Sequence, residues 1–176
     1  MKKEKLATLW LDGCSGCHMS ILDVDEAIAS VAQKADLVYG PLVDAQEFPL
    51  DVDVAIVEGA VSSQDDLEKI QRVRERSRIL VALGDCAVTS NVPSMRNRLP
   101  VKTILERVYI EGADVQKGIP TDGVPALLKN AVPLHDVVKV DLHVPGCPPP
   151  ASSILFVLNE LLDGRIPDLR TKVRFG

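Results

Sequence analysis

Five short strand-like runs, each closed by a turn containing glycine or proline, alternate with stretches whose apolar residues recur at helical spacing. The runs fall at 6–11, 36–39, 52–57, 79–83 and 137–144, and they stop at Asp12-Gly13, Gly40-Pro41, Glu58-Gly59, Gly84-Asp85 and Pro145-Gly146. Between them, residues 20–34 place Ile21, Val24, Ala27, Ile28, Val31 and Ala32 at helical spacing, with Ser20 as the expected N-cap. A second helix is expected from Ser62-Ser63-Gln64-Asp65-Asp66 to about Arg76, with Leu67, Ile70 and Val73 on one face. A third is expected over Ala151–Leu162. Such alternation predicts an α/β fold: an open sheet of about five mainly parallel strands with helices on both faces. One domain over 1–176 is expected, with an irregular excursion at about 87–136 that carries five prolines and short helices near 102–110 and 124–130. That excursion is long for a mere connection, which points to a functional or partner-covering role.

Composition narrows the function classes. A net charge of −5, from 20 basic and 25 acidic residues, with one Trp, two Tyr and three Phe, gives no cationic groove or stacking platform, so no nucleic acid partner is expected. No apolar run approaches the roughly 18 residues of a membrane helix. The opening Met-Lys-Lys-Glu-Lys is not followed by the apolar stretch of a secretory signal. The expectation is a soluble, cytoplasmic protein whose hydrophobic fraction of 46% supplies a core.

Four cysteines then need a chemistry: Cys14, Cys17, Cys86 and Cys147. In a reducing compartment they are better read as metal ligands or redox groups than as structural disulfides. The first pair follows the first run, Cys86 the fourth and Cys147 the fifth, and Glu58 ends the third. Parallel strands put their C-terminal ends on one edge, so all four thiols are expected to gather there. Three chemistries compete. A Cys₄ zinc site usually braces small folds through two local knuckles, and this chain has one. A strand, a Cys-x-x-Cys and a helix also describe a thiol–disulfide oxidoreductase using Cys14 and Cys17, which leaves Cys86 and Cys147 without a role. An iron–sulfur cluster uses all four thiolates, and Cys-Pro at the last ligand recurs in such proteins. Gly13, Gly16, Gly84 and Gly146 lie within two residues of a cysteine, where they let backbone N–H groups approach sulfur.

These contexts carry a resemblance. Trp10-Leu-Asp-Gly-Cys14-Ser-Gly-Cys17, Val57-Glu58-Gly59-Ala60-Val61, Leu83-Gly84-Asp85-Cys86-Ala87 and Pro145-Gly146-Cys147-Pro148-Pro149 resemble the motifs of [NiFe]-hydrogenase small subunits. The stretch from Gly84 through Ser90-Asn91-Val92-Pro93 to Arg96, and the closing Arg174-Phe175-Gly176, are similar to the cytoplasmic, bidirectional, NAD-reducing subgroup. The resemblance implies a flavodoxin-like fold and one [4Fe–4S] cluster, the proximal one, on Cys14, Cys17, Cys86 and Cys147. It also implies a large subunit holding the Ni–Fe centre, and diaphorase subunits carrying further Fe–S clusters, FMN and NAD. Hydrogen would be split in the partner, with no catalytic residue in this chain. Respiratory small subunits have a twin-arginine leader and a C-terminal region for two more clusters; neither is seen here, so one cluster and no membrane are expected. Many of them also have Glu two residues after the second motif cysteine, where this chain has Met19. The complex I-type quinone-oxidoreductase cluster subunit is similar too, but it has adjacent cysteines where Cys14 and Cys17 are separated.

Glu58 is a candidate for a proton route or for the subunit interface, against a solvated carboxylate in a loop. His18, beside a proposed ligand, is either a hydrogen-bond donor at the site or interface, or an ordinary surface histidine. His135 and His143 read as local hydrogen-bonding residues, and Trp10 as core. Arg72, Arg74, Arg76 and Arg78 read as a solvated helix face, because Glu68 and Glu75 interleave. No flavin is expected to bind firmly, since fold alone is weak warrant for one.

Overall fold

Strands buried on both faces hold the molecule together. The computed structural model describes residues 3–175; Met1, Lys2 and Gly176, at the charged start and in the closing Arg174-Phe175-Gly176, lie outside the described residues. Five strands form one sheet: β1 (Glu4–Trp10), β2 (Ala35–Tyr39), β3 (Val52–Glu58), β5 (Ser77–Leu83) and β7 (Leu142–Val144). Their order is β2-β1-β3-β5-β7 and every pairing is parallel. Counted along that sheet alone the order is 2-1-3-4-5, the flavodoxin-like winding, whose direction reverses between β1 and β3.

The strands feed two cores. Ala7, Leu9, Val57, Leu80 and Ala82 pack toward Ile70 and Val73 of helix α3 (Gln64–Arg76). Leu6, Val54, Ile56, Val81 and Leu83 pack toward α6 (Ala151–Leu162), with Val31 of α2 (Ile28–Lys34) and Ile21 of α1 (Gly16–Leu22). Helices thus cover both faces, as a parallel sheet requires. Helix α3 begins with a reciprocal capping box: Ser63 Oγ accepts from the Asp66 N–H at 3.1 Å and the Asp66 carboxylate accepts from the Ser63 N–H at 2.9 Å. Ser63→Ala removes one half of this box and should lower the unfolding free energy by about 0.5–2 kcal/mol in a urea titration.

Several local expectations are corrected. The helix expected over 20–34 is broken into α1 and α2, because Asp25 adopts a left-handed φ of 56°, a conformation that aspartate tolerates better than most residues. Ser20 is therefore no N-cap but a buried residue within α1. The helix expected at 124–130 is instead β6 (Leu127–Val132), paired antiparallel with a short strand β4 (Val61–Ser63) that the sequence pattern did not suggest. Long-range pairing overrides local preference there. The last strand is shortened to Leu142–Val144, since Val137 and Val138 turn back to donate to the Leu134 carbonyl.

The excursion is tied down by side chains. Short helices α4 (Gly84–Thr89) and α5 (Val101–Glu106) flank a 3₁₀ turn at Val92–Arg98. From that turn Arg96 donates to the Ser62 and Leu128 carbonyls, and Asn97 exchanges two hydrogen bonds with Ala131. The arginines of α3 are not simply a solvated face either. Arg74 pairs with Asp141 and donates to the Ser77 carbonyl, and Arg76 donates to the Phe48 carbonyl. No helix among the described residues is long and apolar enough to cross a membrane.

Candidate metal centre

The strand register sets up the site. Trp10 of β1 is level with Glu58 of β3, Glu58 with Leu83 of β5, and Leu83 with Val144 of β7. The four strands therefore end in one row, at the edge where the winding reverses, which is where open α/β sheets bind their ligands. Cys14 follows that row in the loop after β1, and Cys17 lies in the first turn of α1. Cys86 lies in the first turn of α4, and Cys147 in the loop after β7, where its bond to Pro148 is cis. All four cysteines line one cavity of about 70 Å³, together with Glu58, Asp85 and glycines of the same loops. Cys14 and Cys147 are exposed, whereas Cys17 and Cys86 are half-buried.

The backbone comes close to sulfur at two points. Gly84 has a φ of +83°, and a Cβ at that position would run into Cys17 Sγ. Gly146, at +141°, is packed so tightly on Pro149 that a Cβ would fall within 2.6 Å of its Cα. Donors also approach the sulfurs: the Val92 N–H bonds the Cys86 thiol, and Asn91 Nδ2 lies 3.7 Å from Cys147 Sγ. Burial pushes the Cys17 thiol well above the ordinary thiol range, and the Glu58 carboxylate pushes it further. Burial raises Cys86 as well.

This donor set fits a cationic polynuclear group. The half-buried Cys17 and Cys86 thiols hold their protons until a bound cation replaces them, because metals bind the thiolate form. Among the described residues no three His, Cys, Asp or Glu groups converge as they would around a single ion. The thiols instead surround a space, with glycine walls and N–H donors suited to sulfide and thiolate sulfur.

Glu58 and His18 depart from the simpler alternatives. Glu58 is only 3% exposed, not a solvated loop carboxylate. Its Oε2 accepts from the His18 N–H at 3.1 Å, and its Oε1 lies 3.0 Å from His18 Nδ1, though not in hydrogen-bond alignment. The His18 side chain is largely buried and meets Trp10 edge-on, with ring centroids 5.5 Å apart. Trp10 itself is 47% exposed and is not core, a correction that follows from its place at the strand end. It lines an apolar groove of about 460 Å³ beside the cavity, where Met19, Leu22, Ile28, Leu37 and Leu42 are also exposed. His135 and His143 lie away from the cavity with their rings 5.6 Å apart, and burial followed by the neighbouring His135 lowers the His143 pKa.

Two residues have roles at the site that their place in the sequence, an expected N-cap for Ser20 and a motif position for Asp85, did not indicate. Asp85 is buried and hydrogen-bonds the Gly146 backbone, and Ser20 is buried and hydrogen-bonds Pro149. Only the three-dimensional proximity of loops far apart in the chain reveals either.

Comparison with known proteins fits this geometry. The family described as NADH ubiquinone oxidoreductase, 20 Kd subunit, matches residues 14–161. The NAD-reducing hydrogenase HoxS subunit delta of Cupriavidus necator is 36% identical over 97% of this chain and 84% of its own length. A subunit of the F420-non-reducing hydrogenase of Methanocaldococcus jannaschii is 36% identical over 96% of this chain, which spans 59% of that relative. The crystal structure of a NAD⁺-reducing [NiFe]-hydrogenase in the H₂-reduced state contains a chain 35% identical to this one. It superposes with a TM-score of 0.94 over 99% of this chain and 100% of that one.

Proposed function

Because this chain belongs to the NADH ubiquinone oxidoreductase, 20 Kd subunit family, and a NAD-reducing hydrogenase subunit matches it over nearly its whole length, we propose that it is the electron-transfer small subunit of a NAD-reducing [NiFe]-hydrogenase. Cys14, Cys17, Cys86 and Cys147 would hold one [4Fe–4S] cluster, which supplies one-electron transfer when bound. The observation that carries this reading is the convergence of all four thiols on one cavity at the level row of strand ends.

The chain's own part is to hold and insulate. Two thiols come from one loop and the next helix turn, and one from each of two neighbouring strand ends, so the sheet edge sets their spacing. The donors at Cys86 and Cys147 offset negative charge on sulfur, and the missing side chain at Gly84 leaves room for Cys17 Sγ. Glu58 holds the first turn of α1 through the His18 N–H. The Ni–Fe centre belongs to a large subunit, and FMN and NAD to diaphorase partners with further clusters. The exposed apolar groove beside the cavity supports a partner subunit lying against that edge. On the resemblance to the cytoplasmic subgroup, the reading includes a cytoplasmic location.

Anaerobic purification followed by iron and sulfide analysis tests the proposal. About four of each per chain are expected beyond those of its partners, as a [4Fe–4S] cluster requires. Stoichiometric zinc without sulfide would sink it, and NADH-dependent quinone reduction with no hydrogen uptake by the co-purified complex would shift it to the complex I-type alternative.

A further inference from the structure

The sheet ladder stops short of the cysteines. The last β5–β7 pair is Leu83 with Val144, so ordinary strand pairing does not reach Cys86 or Cys147. Two hydrogen bonds continue the connection one step beyond it. The Asp85 N–H donates to the Gly146 carbonyl at 2.8 Å, and the Gly146 N–H donates to Asp85 Oδ1 at 2.6 Å. Asp85 immediately precedes Cys86 and Gly146 immediately precedes Cys147, so this two-point bracket joins the backbones that carry those thiols. Asp85 is only 5% exposed, which shields the bracket from competing water. A second tie closes the ring: Ser20 Oγ of α1, also 5% exposed, donates to the Pro149 carbonyl at 2.6 Å. It fastens the helix carrying Cys17 to the loop carrying Cys147.

We propose that Asp85, with Ser20, is a positioning residue that presets the spacing of the cysteine loops before any cluster binds. The inference rests on the cluster reading for its consequence, though not for its geometry. An Asp at this position does what a strand pair would do, but with a side chain, which lets the backbone turn away at Gly84 and still hold its neighbour. The carboxylate oxygen is the part that matters for spacing.

The test uses the anaerobically purified complex and three variants. Asp85→Ala should accelerate amide hydrogen exchange across residues 144–152. It should also speed loss of iron equivalent to one cluster to the chelator ferrozine by about 10–100-fold, the cost typical of removing a supporting hydrogen bond at a metal site. The EPR signal of that reduced cluster should broaden. Asp85→Asn keeps an oxygen in place, so it should restore exchange, iron retention and line shape. A residue that merely stabilised the fold would shift the unfolding midpoint and leave the EPR signal and its rescue by Asn unmoved. Wild-type exchange and iron retention in Asp85→Ala overturn the proposal. If Asp85→Ala does not assemble, Ser20→Ala decides: faster iron loss and exchange support the brace, and wild-type behaviour overturns it. If the parent complex has no cluster on this chain, the cluster reading fails, and amide exchange still judges the brace alone.

Discussion

Cys86→Ser and Cys147→Ser should each empty the site, with iron and sulfide falling by nearly a whole cluster and hydrogen-dependent NAD⁺ reduction by the complex abolished. The two residues stand at the ends of neighbouring strands and line the same cavity as Cys14 and Cys17. A serine hydroxyl is a far weaker ligand than a thiolate, because it is much harder to deprotonate and lacks the soft sulfur donor that iron–sulfur chemistry uses. Losing a ligand should cost more than the roughly 10–100-fold that loss of a supporting group costs. The outcome separates the function classes. A thiol–disulfide oxidoreductase needs only Cys14 and Cys17 and would keep its activity in both variants. Full activity with full iron in either variant would remove that residue from the ligand set.

The architecture was legible where local pattern and tertiary pairing agree. The runs that became β1, β3 and β5 are mostly apolar because both faces are buried, and each stops at the glycine or acidic turn that marks the strand end. Helices α3 and α6 were legible from their periodicity and from the cap at Ser63. The errors lie where distant partners decide. Residues 127–132 become a strand because β4 offers an edge, and local sequence says nothing of that edge. Trp10 looks like core by composition but belongs to the rim, since the strand leaves the sheet at that residue. At the site, the cysteine spacing and its glycines could be read directly. The burial of Glu58 could not, because it depends on α1 folding over the strand end. Nor could the Asp85–Gly146 bracket, whose halves are 61 residues apart.

Gly84→Ala should disable the site through one methyl group. Two independent costs meet at this position. With φ at +83°, any L-residue carries left-handed backbone strain of about 1–2 kcal/mol. The new Cβ would also collide with Cys17 Sγ and lie 3.4 Å from the Gly146 carbonyl oxygen, so overpacking adds about 1–3 kcal/mol. The structure has two ways to relax, and both matter for function. If Cys17 swings away, a proposed ligand leaves the cavity; if the β5–α4 junction shifts, Asp85 and Cys86 move with it. Gly164→Ala is the internal control. Gly164 follows α6 with a φ of +76°, but its Cβ would meet open space, so it carries the backbone strain without the collision. The expected result is a loss of about 2–5 kcal/mol with iron depletion for Gly84→Ala, against about 1–2 kcal/mol with full iron for Gly164→Ala. Denaturant titration and iron analysis on both variants measure the difference. Equal stability losses with full iron in both would show that the contact between Gly84 and Cys17 does not define the pocket.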